Sequence, residues 1–224
     1  SDRGAAWRQL PAVGAPDSLR AFACCATQPD GAIVLVGGAT DGFGPEGATW
    51  RSDDGAASWR RVRSRGTWLA RRDAGLVSLA RGEIVLIGGR DDTKRLSDAW
   101  MSADGGASWS IACAAAPWSA RVGHQCAATA DGAIVVMGGQ SEGGECSDVW
   151  VSRDVGRTWS VVMAMAQWSA RSFFGSSAIG ESRDMRERAR GDGKSGDGGE
   201  IEGREKTRSS GRVTSARAAS QART

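Results

Sequence analysis

Residue types able to run acid–base or nucleophilic chemistry are sparse in this chain. Its 224 residues include one histidine, His124, five cysteines and no tyrosine. A Ser-His-Asp relay would have to rest on His124, which stands in "RVGHQC" on an expected strand. It reads instead as a hydrogen-bonded structural histidine. Cys126, two residues on, shares its side of that strand. It occupies the repeat position of Cys25 and Leu76, so it reads as a small apolar core residue and not as a nucleophile. A zinc site lacks ligands, because no Cys-x-x-Cys pair exists and one His cannot complete the usual sets. Reduced structural thiols are expected, with a disulfide open if the protein is secreted. Asp54, Asp104 and Asp154 recur singly, without a second carboxylate at metal-ligand spacing. "GDGKSGDGG" (191–199) lacks the phosphate-loop spacing and a preceding strand. No catalytic residue, metal ligand or cofactor follows from the sequence.

What positions these residues is a repeat. "SDDGAASW" (52–59), "SADGGASW" (102–109) and "SRDVGRTW" (152–159) lie fifty residues apart. Trp50, Trp100 and Trp150 form one series, Trp59, Trp109 and Trp159 a second, and Trp68, Trp118 and Trp168 a third; Trp7 ends another such phrase. Arg20, Arg71 and Arg121 each lie 17 residues before a Gly-Gly pair, and Arg171 continues the series. Ahead of the glycines run "AIVLV", "EIVLI" and "AIVVM", each preceded by a turn dipeptide, Asp30-Gly31, Arg81-Gly82 or Asp131-Gly132.

The local chemistry is that of strands. Asp-Gly between apolar runs signals a hairpin, here expected as a tight primed turn. "IVVM" is too short for a helix and rich in β-branched residues. "SDAWMS" and "SDVWVS" alternate polar and apolar residues. In the third unit four strands are expected near 122–129, 133–139, 147–152 and 157–163. Four antiparallel strands at this period make a β-propeller blade. The "SxDxG" phrase is then the turn from third to fourth strand. Its Asp accepts backbone N–H groups, its Gly permits a positive φ, and its Trp buries about 2–3 kcal/mol of apolar surface. Ala56, where the other copies have Gly106 and Gly156, predicts a looser first turn.

The units run 18–67, 68–117 and 118–167, after a last-strand fragment (1–17) and before the start of a further unit (168–180). Residues 181–224 have no aromatic side chain, little aliphatic bulk and many charges, and are expected to be disordered. That tail carries the whole net charge of +3, leaving the first 180 residues neutral, so the basicity is no sign of a nucleic-acid groove. No apolar run approaches the length of a membrane span.

The Arg, the Gly-Gly, the "SDVW" and the later Trp resemble a kelch repeat, and the turn phrase resembles the Asp-box of sialidases and other propellers. The resemblance covers about residues 1–175. It implies an all-β fold, a propeller of kelch-like four-stranded blades, three full and others partial. In such families the Asp-box is structural, which would make Ser102, Asp104, Gly106 and Trp109, with Ser152, Asp154, Gly156 and Trp159, fold determinants. A sialidase-like site needs a Tyr nucleophile and a galactose-oxidase-like copper site needs Tyr and two His, which this chain cannot supply.

The most variable segments are the loops from second to third strand, "ATDGFGPEGAT" (39–49), "RDDTKRLSDA" (90–99) and "QSEGGECSDV" (140–149). Variable loops on a repeated scaffold carry specificity. They share a face with the recurrent arginines, so a ligand is expected to meet Arg71, Arg121, Asp91, Asp92, Lys94, Arg95, Gln140 and Glu142. The expected function is a non-catalytic scaffold for a protein or peptide, with no nucleic-acid or membrane partner. Self-association through open blade edges is a further expectation, since three and a fraction blades do not close a ring. The alternative is a fragment of a sialidase-like or other carbohydrate-active propeller with its catalytic residues elsewhere.

Overall fold

A computed structural model describes residues 9, 13–14, 20–40, 44–45, 47–63, 68 and 70–175. They belong to the first of two units, Ser1–Gly180 and Glu181–Thr224. The expected tail (181–224), and the expected fragment 1–17 apart from three residues, lie outside the described residues.

Three four-stranded antiparallel meanders follow one another. The first comprises β1 (Cys24–Thr27), β2 (Ile33–Val36), β3 (Thr49–Ser52) and β4 (Arg60–Arg63). The second comprises β5 (Gly75–Ser78), β6 (Ile84–Ile87), β7 (Ala99–Ser102) and β8 (Ser110–Cys113). The third comprises β9 (Gln125–Ala128), β10 (Ile134–Met137), β11 (Val149–Ser152) and β12 (Ser160–Met163). Each pairs in sequence order, and no α-helix occurs among the described residues. These are the blades of a kelch-type propeller.

The strands are shorter than expected, and the second strand of each blade is ended by its glycine pair. Gly88-Gly89 and Gly138-Gly139 are consecutive left-handed residues, at φ 54° and 90° and at φ 61° and 96°, and they swing the chain out of the sheet. The turn between first and second strands also differs from expectation. The Gly31 N–H donates to the Gln28 carbonyl at 2.9 Å, and the Gln28 N–H to the Ala32 carbonyl at 2.7 Å. Only Gly31 of the Asp-Gly dipeptide has positive φ. This is a type I turn closed by a left-handed glycine bulge, not a two-residue primed turn. Its Asp30 accepts the Ala32 N–H at 3.0 Å, which the primed turn would not allow in this register.

The third-to-fourth turn repeats one hydrogen-bond pattern. The Asp104 carboxylate accepts the Ser108 N–H at 2.8 Å and the Ser102 hydroxyl at 2.8 Å, while the Gly106 N–H donates to Ser102 Oγ at 2.9 Å. Trp109 Nε1 then donates to the Gly106 carbonyl at 3.1 Å. Ser152, Asp154, Gly156, Thr158 and Trp159 repeat every one of these bonds. The first copy is not looser: the Ala56 N–H still donates to Ser52 Oγ at 2.9 Å, and Ala56 takes φ 72° to do so.

The sheets pack face to face. In β6, Ile84 and Leu86 join Val34, Val36, Trp68 and Trp109 against the first sheet. Val85 and Ile87 join Ile134, Val136, Trp118 and Trp159 against the third. All four β6 side chains are fully buried, which is why "IVLI" is apolar throughout and does not alternate. Trp68 meets Trp109 edge-on at 6.0 Å, and Trp118 meets Trp159 at 5.9 Å.

Candidate functional site

Two of the recurrent arginines, Arg71 and Arg121, are pins inside the blades. The Arg121 guanidinium donates to both Asp148 oxygens, at 2.6 and 2.7 Å, and to the Gly138 carbonyl at 2.9 Å. It also reaches the Ser119 carbonyl and hydroxyl and lies over the Trp118 ring at 5.8 Å. Arg71 repeats the arrangement with Asp98 and the Gly88 carbonyl. Trp100 and Trp150 donate their indole N–H to the same aspartates. Arg71 and Arg121 are 1% and 0% exposed. The expectation that these two meet a ligand is corrected here: burial and a bidentate carboxylate occupy them. Burial alone would raise the Asp148 carboxyl, but the Arg121 and Trp150 bonds outweigh it and hold the group below the usual range.

His124, expected to be hydrogen-bonded, is buried beside Trp118 without a well-formed bond at either nitrogen. Desolvation, with a smaller push from Arg121, lowers its pKa to about 4, so it is a neutral wedge. Its ring fills space left by two glycines, since a Cβ on Gly75 would lie 3.0 Å from Nε2 and one on Gly88 3.1 Å from Cε1. Cys126 packs beside it in the core. The five thiols are free, and Cys25, against expectation, is exposed. Among the described residues no cluster of His, Cys, Asp or Glu could hold a metal ion.

Beyond each Gly-Gly the loop folds back on the segment that leads into the first strand. In the second blade this makes two bridges, Arg72 opposite Arg90 and Arg90 opposite Arg95. Arg72 and Arg90 exchange both backbone hydrogen bonds at 3.0 Å. Directly opposed side chains project to one side, so three arginines stand in a row. The corresponding third-blade row is Val122, Gln140 and Glu145, and the first-blade row Ala21, Ala39 and Pro45. Adjacent like charges repel, and the fold relieves them in part: Arg90 Nε donates to the Asp91 carbonyl at 3.5 Å, and the Asp73 carboxyl interacts with both Arg72 and Arg90. Arg72 Nε lies 3.9 Å from the Asp73 carboxylate. Arg95 Nη2 reaches Gln140 Oε1 at 3.3 Å, but its Nε is buried with no hydrogen-bond partner. Desolvation raises the half-buried Asp73 carboxyl despite Arg72 and Arg90.

Of the expected loop residues, the structure brings Arg95 and Gln140 together. Asp91 closes its own turn, accepting the Thr93 and Lys94 N–H groups at 2.7 and 2.8 Å. Asp92, Lys94 and Glu142 are exposed around the row. Arg72 and Arg90, the other members of the row, were not singled out in the sequence. The signal was their departure from Ala, Val and Gln at the matching repeat positions.

Next to the row, the residues two places beyond each recurrent arginine line a cavity of about 190 Å³: Phe22, Asp73, Gly123 and Phe173, with Ala23, Ala74, His124 and Gln125. The opposite face differs in kind. Its groove between the first two blades is lined by Asp30, Arg51 and Asp104, and Arg51 is already paired with Asp30 and Asp53 at 2.7 Å.

Comparison with known proteins adds a family. No curated protein matches the chain. The family model described as the KLHDC2/KLHL20/DRC7 Kelch-repeats domain matches residues 3–183. Kelch-repeat domains are typically protein-interaction scaffolds and generally non-catalytic. With its repeated Arg–Asp pins and glycine pairs, this chain belongs to the KLHDC2/KLHL20/DRC7 Kelch-repeats domain family.

Proposed function

We propose that this chain is a non-catalytic interaction module whose loop face holds a partner peptide through its carboxylates. The observation that carries this is the in-register row Arg72, Arg90 and Arg95 on the loop face. A partner carboxylate on the row accepts charge-assisted hydrogen bonds from the guanidinium groups and separates three like charges. Guanidinium forks favour planar carboxylates, which fits a protein partner. Asp92, Lys94, Gln140 and Glu142 then rim the contact. The repeated turns centred on Asp54, Asp104 and Asp154 are Asp-boxes that shape the opposite face and take no part in binding.

The test is fluorescence anisotropy of the full chain with an N-acetylated, C-amidated peptide of alternating Glu and Gly. Binding is expected to weaken steeply with salt and to be lost in Arg90→Gln/Arg95→Gln. Arg153→Gln, on the turn face, is expected to leave it unchanged. No binding by the native chain, or equal binding by the double variant, refutes the reading.

Self-association is a secondary proposal. Trp168 stands at the repeat position of Trp68 and Trp118, each 2% exposed, yet is itself 39% exposed. Val161 and Val162, in the last strand of the third blade, are also exposed. Light scattering over a concentration series is expected to show concentration-dependent mass that Trp168→Ser reduces.

A further inference from the structure

Four equivalent positions around the mouth share one unusual backbone state. Phe22, Asp73, Gly123 and Phe173 have φ of 59°, 57°, 60° and 53°. The cause is a chain of bonds from blade to blade. The Asp73 N–H donates to the Phe22 carbonyl at 3.0 Å, Gly123 to Asp73 at 3.2 Å, and Phe173 to Gly123 at 2.8 Å. This chain holds every member left-handed whatever its side chain. Glycine adopts that state freely and Asp tolerates it, whereas Phe is disfavoured there.

The two phenylalanines are also 59% and 60% exposed. Each is therefore unfavourable twice, in its backbone and in its hydrated ring. Little inside the described fold offsets this: the Phe173 ring lies over Gly123, where a Cβ would stand 2.9 Å from it, and otherwise faces outward. An aromatic residue placed at two of four equivalent strained positions, with its ring left in water, is accounted for by a contact from outside the chain.

The shape of the mouth specifies that contact. Its cavity of about 190 Å³ has both phenylalanines in its lining and Ala23, Ala74 and Gly123 as small neighbours. That volume admits one large side chain. Two phenylalanine rings favour an aromatic occupant, which they can meet edge-on or offset. Asp73 forms part of the wall and lies against Arg72, the first member of the arginine row. A segment whose carboxylate lies on the row therefore presents a neighbouring residue to the mouth.

We propose that the mouth between Phe22 and Phe173 seats an aromatic side chain of the partner segment, adjacent to the carboxylate held by Arg72, Arg90 and Arg95. The inference rests on the carboxylate reading of the loop face and adds the second half of the recognised motif.

The experiment uses the full chain and two labelled, N-acetylated, C-amidated peptides of Glu and Gly, one with a central Phe and one with Ala in its place. The Phe peptide is expected to bind about tenfold tighter. In Phe22→Asn/Phe173→Asn this preference is expected to vanish while Tm is unchanged or higher, because Asn accepts the left-handed backbone. That combination separates a binding role from a folding role. Equal binding of the two peptides to the native chain, or a preference that survives in the double variant, overturns the inference. If both peptides bind equally and both are lost in Arg90→Gln/Arg95→Gln, the carboxylate reading stands and the aromatic mouth falls. If neither peptide binds the native chain, both fall.

Discussion

Replacing Arg121 by Leu removes five hydrogen bonds from a fully buried guanidinium: two to Asp148, one to the Gly138 carbonyl, and two to Ser119. It leaves the Asp148 carboxylate, whose side chain is 18% exposed, without its cation. Breaking one side of such a pair costs about 3–5 kcal/mol, most of it from the stranded charge. Asp148→Leu is expected to cost a similar amount, because the guanidinium it strands is 0% exposed. The double variant Arg121→Leu/Asp148→Leu strands no charge. It loses only the bonds to the Gly138 and Ser119 acceptors and the Trp150 indole N–H, so it should cost no more than either single change. The coupling energy is then at least about 3 kcal/mol. Urea denaturation at pH 7, followed by tryptophan fluorescence, measures all three. Arg71 with Asp98 provides an independent repeat of the cycle in the second blade. Costs that add to within about 0.5 kcal/mol would refute the view that these arginines are pins within the fold, and would return them to the candidate binding residues.

Further outcomes follow from other residues. His124 has its pKa lowered to about 4 by burial, so its contribution is intact above about pH 6.5 and is lost as the pH falls through 6.5 towards 4, a loss of about 3 kcal/mol. Denaturation at stepped pH should show that slope, and His124→Phe should flatten it. Asp73, whose carboxyl is raised, titrates in the opposite sense and weakens the slope slightly. Ala56→Gly removes a left-handed alanine at φ 72° and should raise stability by about 0.5–1 kcal/mol in a urea titration. Gly106→Ala should do the reverse and cost about 2 kcal/mol or more. Its φ of 90° is unsuited to alanine, and the new Cβ would meet Thr49 Cγ2 at 2.7 Å across the blade interface.

The fold was legible because its determinants are periodic. The phrase around Asp104, the glycine pairs and the tryptophans repeat at one spacing, and each repeats one physical task. The turn after β1 was misread in its geometry, since Asp-Gly serves both a two-residue primed turn and a type I turn with a glycine bulge. Only the register of the Gln28–Ala32 pair decides between them. The site was legible in place and not in identity. Loop variability pointed to the loops of the proposed site, with Arg95 and Gln140 among their residues, and the structure brings those two together. It missed Arg72 and Arg90, because neither stands out locally. Their meaning arises when the chain folds back and sets 72 against 90 and 90 against 95. Conversely, Arg71 and Arg121 stood out through repetition, and repetition marks what every blade needs.

That contrast supplies a rule for separating structure from function inside a repeat. A residue present at every equivalent position answers a demand all blades share, as Arg71 and Arg121 do in binding Asp98 and Asp148. A residue that departs from its equivalents while raising the free energy of the fold answers a demand from elsewhere. The arginine row meets that criterion, since its counterparts are Ala, Ala and Pro in the first blade and Val, Gln and Glu in the third. Phe22 and Phe173 meet it too, set against Asp73 and Gly123 under the same backbone constraint. The two sets adjoin through Asp73, so one loop face concentrates the departures of three blades. Replacing the departures by a residue the left-handed backbone accepts, as in Phe22→Asn, or by a neighbour's residue, as in Arg90→Gln, should therefore stabilise the fold or leave it unchanged and act on binding alone. Substituting Arg121 or Gly106 should act first on the fold.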